Sequence, residues 1–172
     1  MLARVPASAA MAGAEVDRLA DAWEAAWSGG DPGAFMALCA PDLHYEDPLT
    51  AAPLQGVAAL GGHAERLWQA FPDVRVERAG ERLCDGRFAA LPVRAIGRNT
   101  GGLDGLPASH RDIELRVVFW CELDLTRARL WRVRAVFDAY GAAVALGLLP
   151  RPGTLRNRAV LALQGYGLRF GG

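Results

Sequence analysis

The chain has 172 residues, 52% of them apolar, and its 19 basic and 19 acidic side chains cancel to a formal net charge of zero. This length and composition allow one domain with a core large enough to fold alone, and argue against a second domain. No block of like charge occurs, and no apolar run approaches the roughly 20 residues that cross a bilayer. We therefore expect neither a nucleic-acid partner nor a membrane partner.

The N-terminus and the cysteines predict the cellular compartment of the protein. Residues 1–13 lack the continuous apolar core of a signal peptide, so we expect a flexible tail there. Cys39, Cys84 and Cys121 are odd in number, widely spaced and set in apolar surroundings. This pattern argues against a disulfide framework or a zinc site and predicts buried thiols in a reducing cytoplasm.

Hydrophobic periodicity predicts three helices in the first part of the chain. Apolar residues recur at helical spacing over residues 16–27, and an Asp-Pro pair begins a second, short helix over residues 31–40. A short extended segment follows at residues 43–47. A third helical stripe covers residues 57–71 and ends at Pro72.

The pattern then changes to that of strands. Alternation begins at residues 74–77, and Asp85-Gly86 predicts a hairpin turn before the apolar run of residues 88–96. Residues 113–123 and 129–137 are long enough to pair as a further hairpin. Helices first and strands later indicate an α+β fold with an antiparallel sheet, whose concave side usually holds a pocket.

The last part of the chain predicts two more helices. Residues 139–149 form a short helical segment, and Thr154 is a candidate cap for a final amphipathic one. We expect residues 151–172 to be a C-terminal extension that packs on the domain and helps to close the pocket mouth.

Two groups of residues resemble a known family. His-Tyr-Glu-Asp-Pro at residues 44–48 and Ala-Phe-Pro-Asp at residues 70–73 are similar to the short strand and third-helix end of SnoaL-like proteins. Residues 129–138 and the helix at 139–147 are similar to that family's last strand, aspartate and following helix. Over residues 15–148 the chain therefore resembles the SnoaL-like polyketide cyclases, in the superfamily of nuclear transport factor 2 and ketosteroid isomerase.

The resemblance implies a fold and an activity. The fold is a cone in which a curved antiparallel sheet wraps around three N-terminal helices, here over residues 14–150. The activity is general acid/base catalysis, without metal or organic cofactor, on a polyketide-like small molecule in an apolar pocket. A cyclase or isomerase of secondary metabolism is the first hypothesis. The alternatives are a non-catalytic small-molecule binding domain, or an epoxide hydrolase or dehydratase on the same fold.

Four residues are candidates for catalysis: Asp138, Arg134, Asp47 and Tyr45. The resemblance places the catalytic carboxylate at Asp138, and strand alternation puts Arg134 on the same face. It also directs Tyr45 and Asp47 toward the cavity. Three of them have a simpler interpretation, since Asp138 suits a helix cap, Arg134 a surface salt bridge and Asp47 a turn at Pro48.

Aromatic residues and one histidine are candidates for substrate binding, with core packing as the alternative for the aromatics. They are Trp23, Trp27, His63, Trp68, Phe71 and Trp120. In residues 113–123 the pattern does not decide which face lines the pocket. The apolar face of Trp131, Val133, Ala135 and Phe137 predicts a homodimer, because exposed patches of that kind usually meet a partner.

Overall fold

The computed structural model of the chain describes residues 13–124 and 128–163, the side chains of the last three excepted. The expected tail therefore lies almost wholly outside the described residues. The helices are α1 (Gly13–Gly29), α2 (Ala34–Leu38), α3 (Val57–Ala70), α4 (Ala139–Ala145) and α5 (Leu155–Leu163). The strands are β1 (Cys39–Glu46), β2 (Leu54–Gln55), β3 (Arg75–Arg78), β4 (Leu83–Asp85), β5 (Phe88–Arg98), β6 (Asp112–Asp124) and β7 (Arg129–Phe137).

The strands form one sheet in the order β2-β1-β7-β6-β5-β3, with β4 paired to β5. The three long strands β5, β6 and β7 are an antiparallel meander, as their lengths and turns predict. Strand β1 departs from the expected antiparallel pattern, because it pairs in parallel with β7, with Tyr45 opposite Val133. The predicted α+β fold, a curved sheet with helices packed against it, is confirmed.

Burial shows which face of the sheet is the inner one. On β6 the side chains of Val117, Phe119 and Cys121 are buried, whereas Trp120 between them is exposed. On β7 Val133 is buried in the same core. The odd-numbered face of β6, which the sequence pattern left undecided, therefore looks inward.

The prediction that the apolar face of β7 meets a partner is thus wrong. Val133 and Ala135 are buried against the helices, while Arg132 and Arg134 on the alternate positions are exposed. The strand covers the core with its apolar side, so that side is not available to a partner.

Two hydrogen bonds fix the end of α1 against its neighbours. The Trp68 indole N–H donates to the Trp27 carbonyl at 2.8 Å, and the Val76 backbone N–H donates to Ser28 Oγ at 2.8 Å. One bond joins α1 to α3 and the other joins it to β3. Together they hold the last turn of α1 over the inner face of the sheet.

The glycine-rich loop over residues 99–110 closes against the end of α3. The buried Asn99 side chain donates to the Ala70 carbonyl at 3.2 Å and to the Gly101 carbonyl at 2.9 Å, and it accepts from the Ser109 backbone N–H at 2.6 Å. The loop thereby satisfies the carbonyl that α3 leaves unpaired at its C-terminus.

The C-terminal extension is described only as far as residue 163. Thr154 caps α5 by accepting from the Asn157 backbone N–H at 3.2 Å, as expected. Leu155, the first residue of that helix, is 82% exposed, whereas Val160 is half-buried. The expected contact of the later residues, from 164 on, falls outside the described residues.

The cysteine prediction holds for two of the three residues. Cys39 and Cys121 are buried, but Cys84 is exposed, and all three are free thiols. The difference arises because β4 is a three-residue strand that is exposed along its whole length. Across residues 13–124 and 128–163, no helix is long and apolar enough to cross a membrane.

Candidate functional site

The inner face of the sheet, helix α3 and the end of α1 enclose an apolar cavity of about 160 Å³. A cavity of roughly 150 Å³ with apolar walls holds one benzene-sized ring. The strands contribute Ala95, Leu115, Val117, Phe119, Ala135 and Phe137, and the helices contribute Trp27, Leu67, Trp68, Ala142 and Leu146, with Phe71 following α3. The walls are thus suited to a small ring rather than to a charged molecule.

Two ionisable side chains, Tyr45 and Asp47, lie among the described residues that line this cavity. Tyr45 is the second-last residue of β1, and Asp47 directly follows the strand. The Tyr45 hydroxyl donates to Asp47 Oδ2 at 3.0 Å. Because the two residues are two positions apart in extended backbone, their side chains point to the same side, and both reach the cavity wall.

His63 lies behind Asp47. It belongs to the buried face of α3, and its Nε2 is 2.8 Å from Asp47 Oδ2. The His63 and Asp47 side chains are each 3% exposed. A helix and a strand end thus bring together two polar groups that lie 16 residues apart in the sequence.

Arg66 decides which nitrogen of His63 carries the proton. One turn further along α3, its Nη2 lies 3.1 Å from His63 Nδ1. A guanidinium can only donate, so Nδ1 accepts and Nε2 carries the hydrogen that is donated to Asp47. The two ring nitrogens of His63 are thus both held, one by Arg66 and the other by Asp47.

The surroundings of Asp47 favour its ionised form. Burial raises its pKa, but hydrogen bonds from His63, the Leu49 backbone N–H and the Tyr45 hydroxyl outweigh that effect and hold the pKa below the ordinary value. Burial, together with the negative charge of Asp47, raises the pKa of Tyr45 well above its usual range. The cavity wall therefore carries a carboxylate beside a phenol that stays protonated.

The carboxylate retains one position at which it can accept a proton. Asp47 Oδ2 accepts from Tyr45 and from His63, and Oδ1 accepts from the Leu49 backbone N–H at 2.7 Å. An ionised carboxylate has about four acceptor sites, so one site on Oδ1 is left. The bond from the Leu49 N–H also makes Asp47 part of the turn at Pro48, which was the simpler interpretation of this residue.

The structure brings six of the predicted site residues together. Tyr45, Asp47, Trp27, Trp68 and Phe71 line the cavity, and His63 contacts it through Asp47. Arg66 was not predicted as a site residue. Its position three residues after His63 on a helix, which places both side chains on one face, was the available signal.

The other four predicted residues lie elsewhere. Asp138 is the N-cap of α4, where its Oδ1 accepts from the Gly141 backbone N–H at 2.8 Å, and it does not line the cavity. Arg134 is exposed and pairs with Glu46. Trp120 is 57% exposed on the outer face of the sheet, and Trp23 lies in the core beneath the cavity wall. Asp138 and Arg134 follow the outer, polar face of β7, because its apolar face covers the core.

Comparisons with known proteins agree with this architecture. The protein TsrD from Streptomyces laurentii superposes with a TM-score of 0.71 at 22% identity, over 81% of this chain and 99% of its own. A protein from Jannaschia sp. CCS1, provisionally named a SnoaL-like polyketide cyclase, superposes with a TM-score of 0.70 at 15% identity, over 87% and 100%. A comparison with curated proteins finds no significant match. At these identities the structural likeness establishes the fold alone.

The family assignment depends on a separate comparison. The family model described as SnoaL-like polyketide cyclase matches residues 17–146, about three quarters of the sequence. The matched range begins within α1 and ends just after α4, so it contains the whole sheet and every residue of the cavity wall. The chain belongs to the SnoaL-like polyketide cyclase family.

Proposed function

We propose that this protein is an enzyme that moves a proton on a small, ring-sized carbonyl compound, with Asp47 as the general base. The observation that carries the proposal is the buried Asp47 carboxylate, held by Tyr45 and His63 at the wall of an otherwise apolar cavity. Convergent polar groups in an apolar pocket are typical of catalytic sites. Family membership supports a cyclase or isomerase activity.

The chemistry follows from the free acceptor site on Asp47. Oδ1 takes a proton from a carbon next to the carbonyl group, and the electron pair of that C–H bond moves to form an enolate. In an isomerisation the same carboxyl group returns the proton to another carbon. In a cyclisation the enolate carbon instead attacks a second carbonyl carbon of the same molecule. The π bond of that carbonyl breaks as the new C–C bond forms, and the resulting alkoxide takes the proton from the Asp47 carboxyl group.

Tyr45 and His63 hold Asp47 in place during this transfer. Both donate to Oδ2, so they fix the plane of the carboxyl group. Oδ1 accepts from the Leu49 N–H and keeps one acceptor site for the substrate proton. Burial of the site then excludes water that would compete for the enolate.

A carrier of small apolar molecules is the second candidate. Apart from Tyr45 and Asp47, the described lining residues are apolar or aromatic, which suits binding without chemistry. The two functions differ in one measurable result. A carrier binds the ring compound and releases it unchanged.

The test uses cyclohex-3-en-1-one, a single-ring ketone whose isomerisation to cyclohex-2-en-1-one is followed by ultraviolet absorbance. The proton leaves the carbon between the carbonyl and the double bond and returns at the far end of the dienolate. Asp47→Asn keeps the shape of the side chain and removes the base, so turnover should fall by about 10²- to 10⁴-fold.

The matched control is Asp138→Asn, which alters the exposed cap of α4 and should leave turnover within about twofold of the wild type. Loss of turnover in Asp138→Asn with retention in Asp47→Asn would move the base to Asp138. Binding of the ketone by the wild type without isomerisation would favour the carrier.

A further inference from the structure

The cavity lies between two separate groups of packed apolar side chains. The larger group is the main core, and it contains Tyr45, which donates to Asp47. The buried members of the smaller group are Ala70, Phe71 and Ile113. Both groups contribute residues to the cavity wall. The cavity therefore has a polar end at Asp47 and an apolar end at the smaller group.

Leu146 closes the apolar end from the side of α4. It directly follows that helix, it is half-buried, and it lines the cavity while packing against the smaller group. Phe71 and Ile113 line the same end but are buried members of the group itself. Because truncation of a buried side chain destabilises a core, Leu146 is the part of this end wall that can change in size at least cost to the fold.

The chain on both sides of Leu146 holds its backbone in place. Its N–H donates to the Ala142 carbonyl at 2.9 Å, which continues the helix. Gly147 after it is left-handed, with φ +80°, and the central carbon of the Arg111 guanidinium would lie 2.7 Å from a Cβ at that position. Arg111 also donates to the Ala145 carbonyl at 3.4 Å. The Leu146 side chain therefore ends the cavity at a fixed place.

We propose that Leu146 sets the length of the ligand that the cavity accepts, so that the substrate is a ring ketone with at most a short apolar substituent opposite its carbonyl group. The inference rests on the proposed function, because it takes the carbonyl end of the ligand to lie at Asp47. An apolar pocket discriminates between ligands that differ by one methylene group by about 10- to 200-fold. One residue at the end of the wall is thus enough to decide which homologue fits.

The experiment measures the binding of 4-alkylcyclohexanones by calorimetric titration. Their alkyl chain lies opposite the carbonyl group, so a ring with its carbonyl end at Asp47 directs the chain towards Leu146. Each buried methylene group should tighten binding by about fourfold until the chain meets Leu146, and the next homologue should bind more weakly. The last chain before this loss of affinity is the limiting chain length.

Two variants should move the limiting chain length in opposite directions. Leu146→Ala shortens the end wall, so the limit should increase by about two or three carbon atoms. Leu146→Phe enlarges the end wall, so the limit should decrease, and this variant tests the inference even if the alanine variant is unstable. Leu148→Ala is the matched control, because Leu148 is 43% exposed and is not among the described residues that line the cavity. Its limit should equal that of the wild type.

The outcomes separate this inference from the proposed function. An unchanged limit in both Leu146 variants, or an equal shift in Leu148→Ala, would overturn the inference and leave the proposed base untouched. A shifted limit in a protein that does not isomerise cyclohex-3-en-1-one would support the inference and favour the carrier over the enzyme. Failure of the wild type to bind any of these ketones would contradict both, because the ligand class assigned to the cavity would be wrong.

Discussion

At the scale of single residues, the proposed base Asp47 should also affect the stability of the fold in acid. Its carboxyl group is buried and accepts from His63, the Leu49 N–H and Tyr45, and these bonds lower its pKa against the effect of burial. A group whose pKa is lower in the folded state stabilises that state above its unfolded pKa, and the contribution disappears as the pH falls through the folded pKa. The ordinary value is 3.8, so the loss belongs to the acid range below about pH 4.

This gives a prediction for Tyr45→Phe, which removes one donor and keeps the ring. The folded-state pKa of Asp47 should rise toward its ordinary value, so less of the stability should depend on pH. Urea midpoints between about pH 2 and pH 6 should therefore change less steeply in the variant than in the wild type.

The control for this measurement is Tyr140→Phe, which removes the hydroxyl of an exposed tyrosine on α4 outside the cavity. Its midpoints should follow those of the wild type. An equal pH dependence in wild type and Tyr45→Phe would show that the hydroxyl does not stabilise the carboxylate.

At the scale of elements, the cavity depends on the contact between the loop at residues 99–110 and the end of α3. The Thr100 and Gly101 backbone N–H groups both donate to the Ala70 carbonyl, at 3.0 and 3.2 Å. A Cβ on Gly101 would lie 1.9 Å from the Gln69 carbonyl oxygen. The loop can therefore approach α3 this closely only with glycine at that position, and Leu103 of the same loop lines the cavity.

Gly101→Ala should consequently destabilise the fold, by about 1–3 kcal/mol, as overpacking of a tight contact does. Gly62→Ala is the matched control in α3, where nothing lies within 4 Å of the added Cβ. That change should stabilise the fold by about 0.5–1 kcal/mol, because alanine suits a helix interior better than glycine. Chemical denaturation measures both, and equal stabilities of the two variants would contradict the proposed contact.

At the scale of the whole molecule, the outer face of the sheet is the candidate surface for association. Trp120, Val118 and Val136 are exposed apolar residues on adjacent strands, and Val118 lies directly opposite Val136. Clustered apolar side chains on a surface usually mark an interface. The homodimer remains a prediction, but its surface is the face opposite to the one that the sequence pattern selected.

The prediction is tested with Trp120→Arg. If two copies pack through this face, a buried charge without a partner should convert the dimer to a monomer at micromolar concentration, as seen by light scattering. Met36→Arg is the control, since Met36 is exposed on α2 rather than on the sheet. A wild type that is strictly monomeric would refute the interface.

Local signals in the sequence accounted for most of the architecture. The helical stripe from Val16, the turn at Asp85-Gly86 and the long strands all follow from periodicity and turn chemistry, which act over a few residues. The likeness of residues 44–48 to a family motif correctly placed Tyr45 and Asp47 at the cavity. The parallel pairing of β1 with β7 was not predicted, because it joins segments about 90 residues apart.

Alternation along the chain specifies which residues share a face, whereas long-range packing specifies where each face points. Alternation placed Arg134 of β7 and Asp138, just after it, on the same side, but only packing against the helices turned that side outward and left Asp138 as a helix cap. Likewise the pattern supplied Asp47 and His63 separately, and the fold brought them to 2.8 Å. The physical reason is that periodicity records whether a side chain is apolar, whereas the direction of a face depends on which elements cover it and thus on contacts distant in sequence.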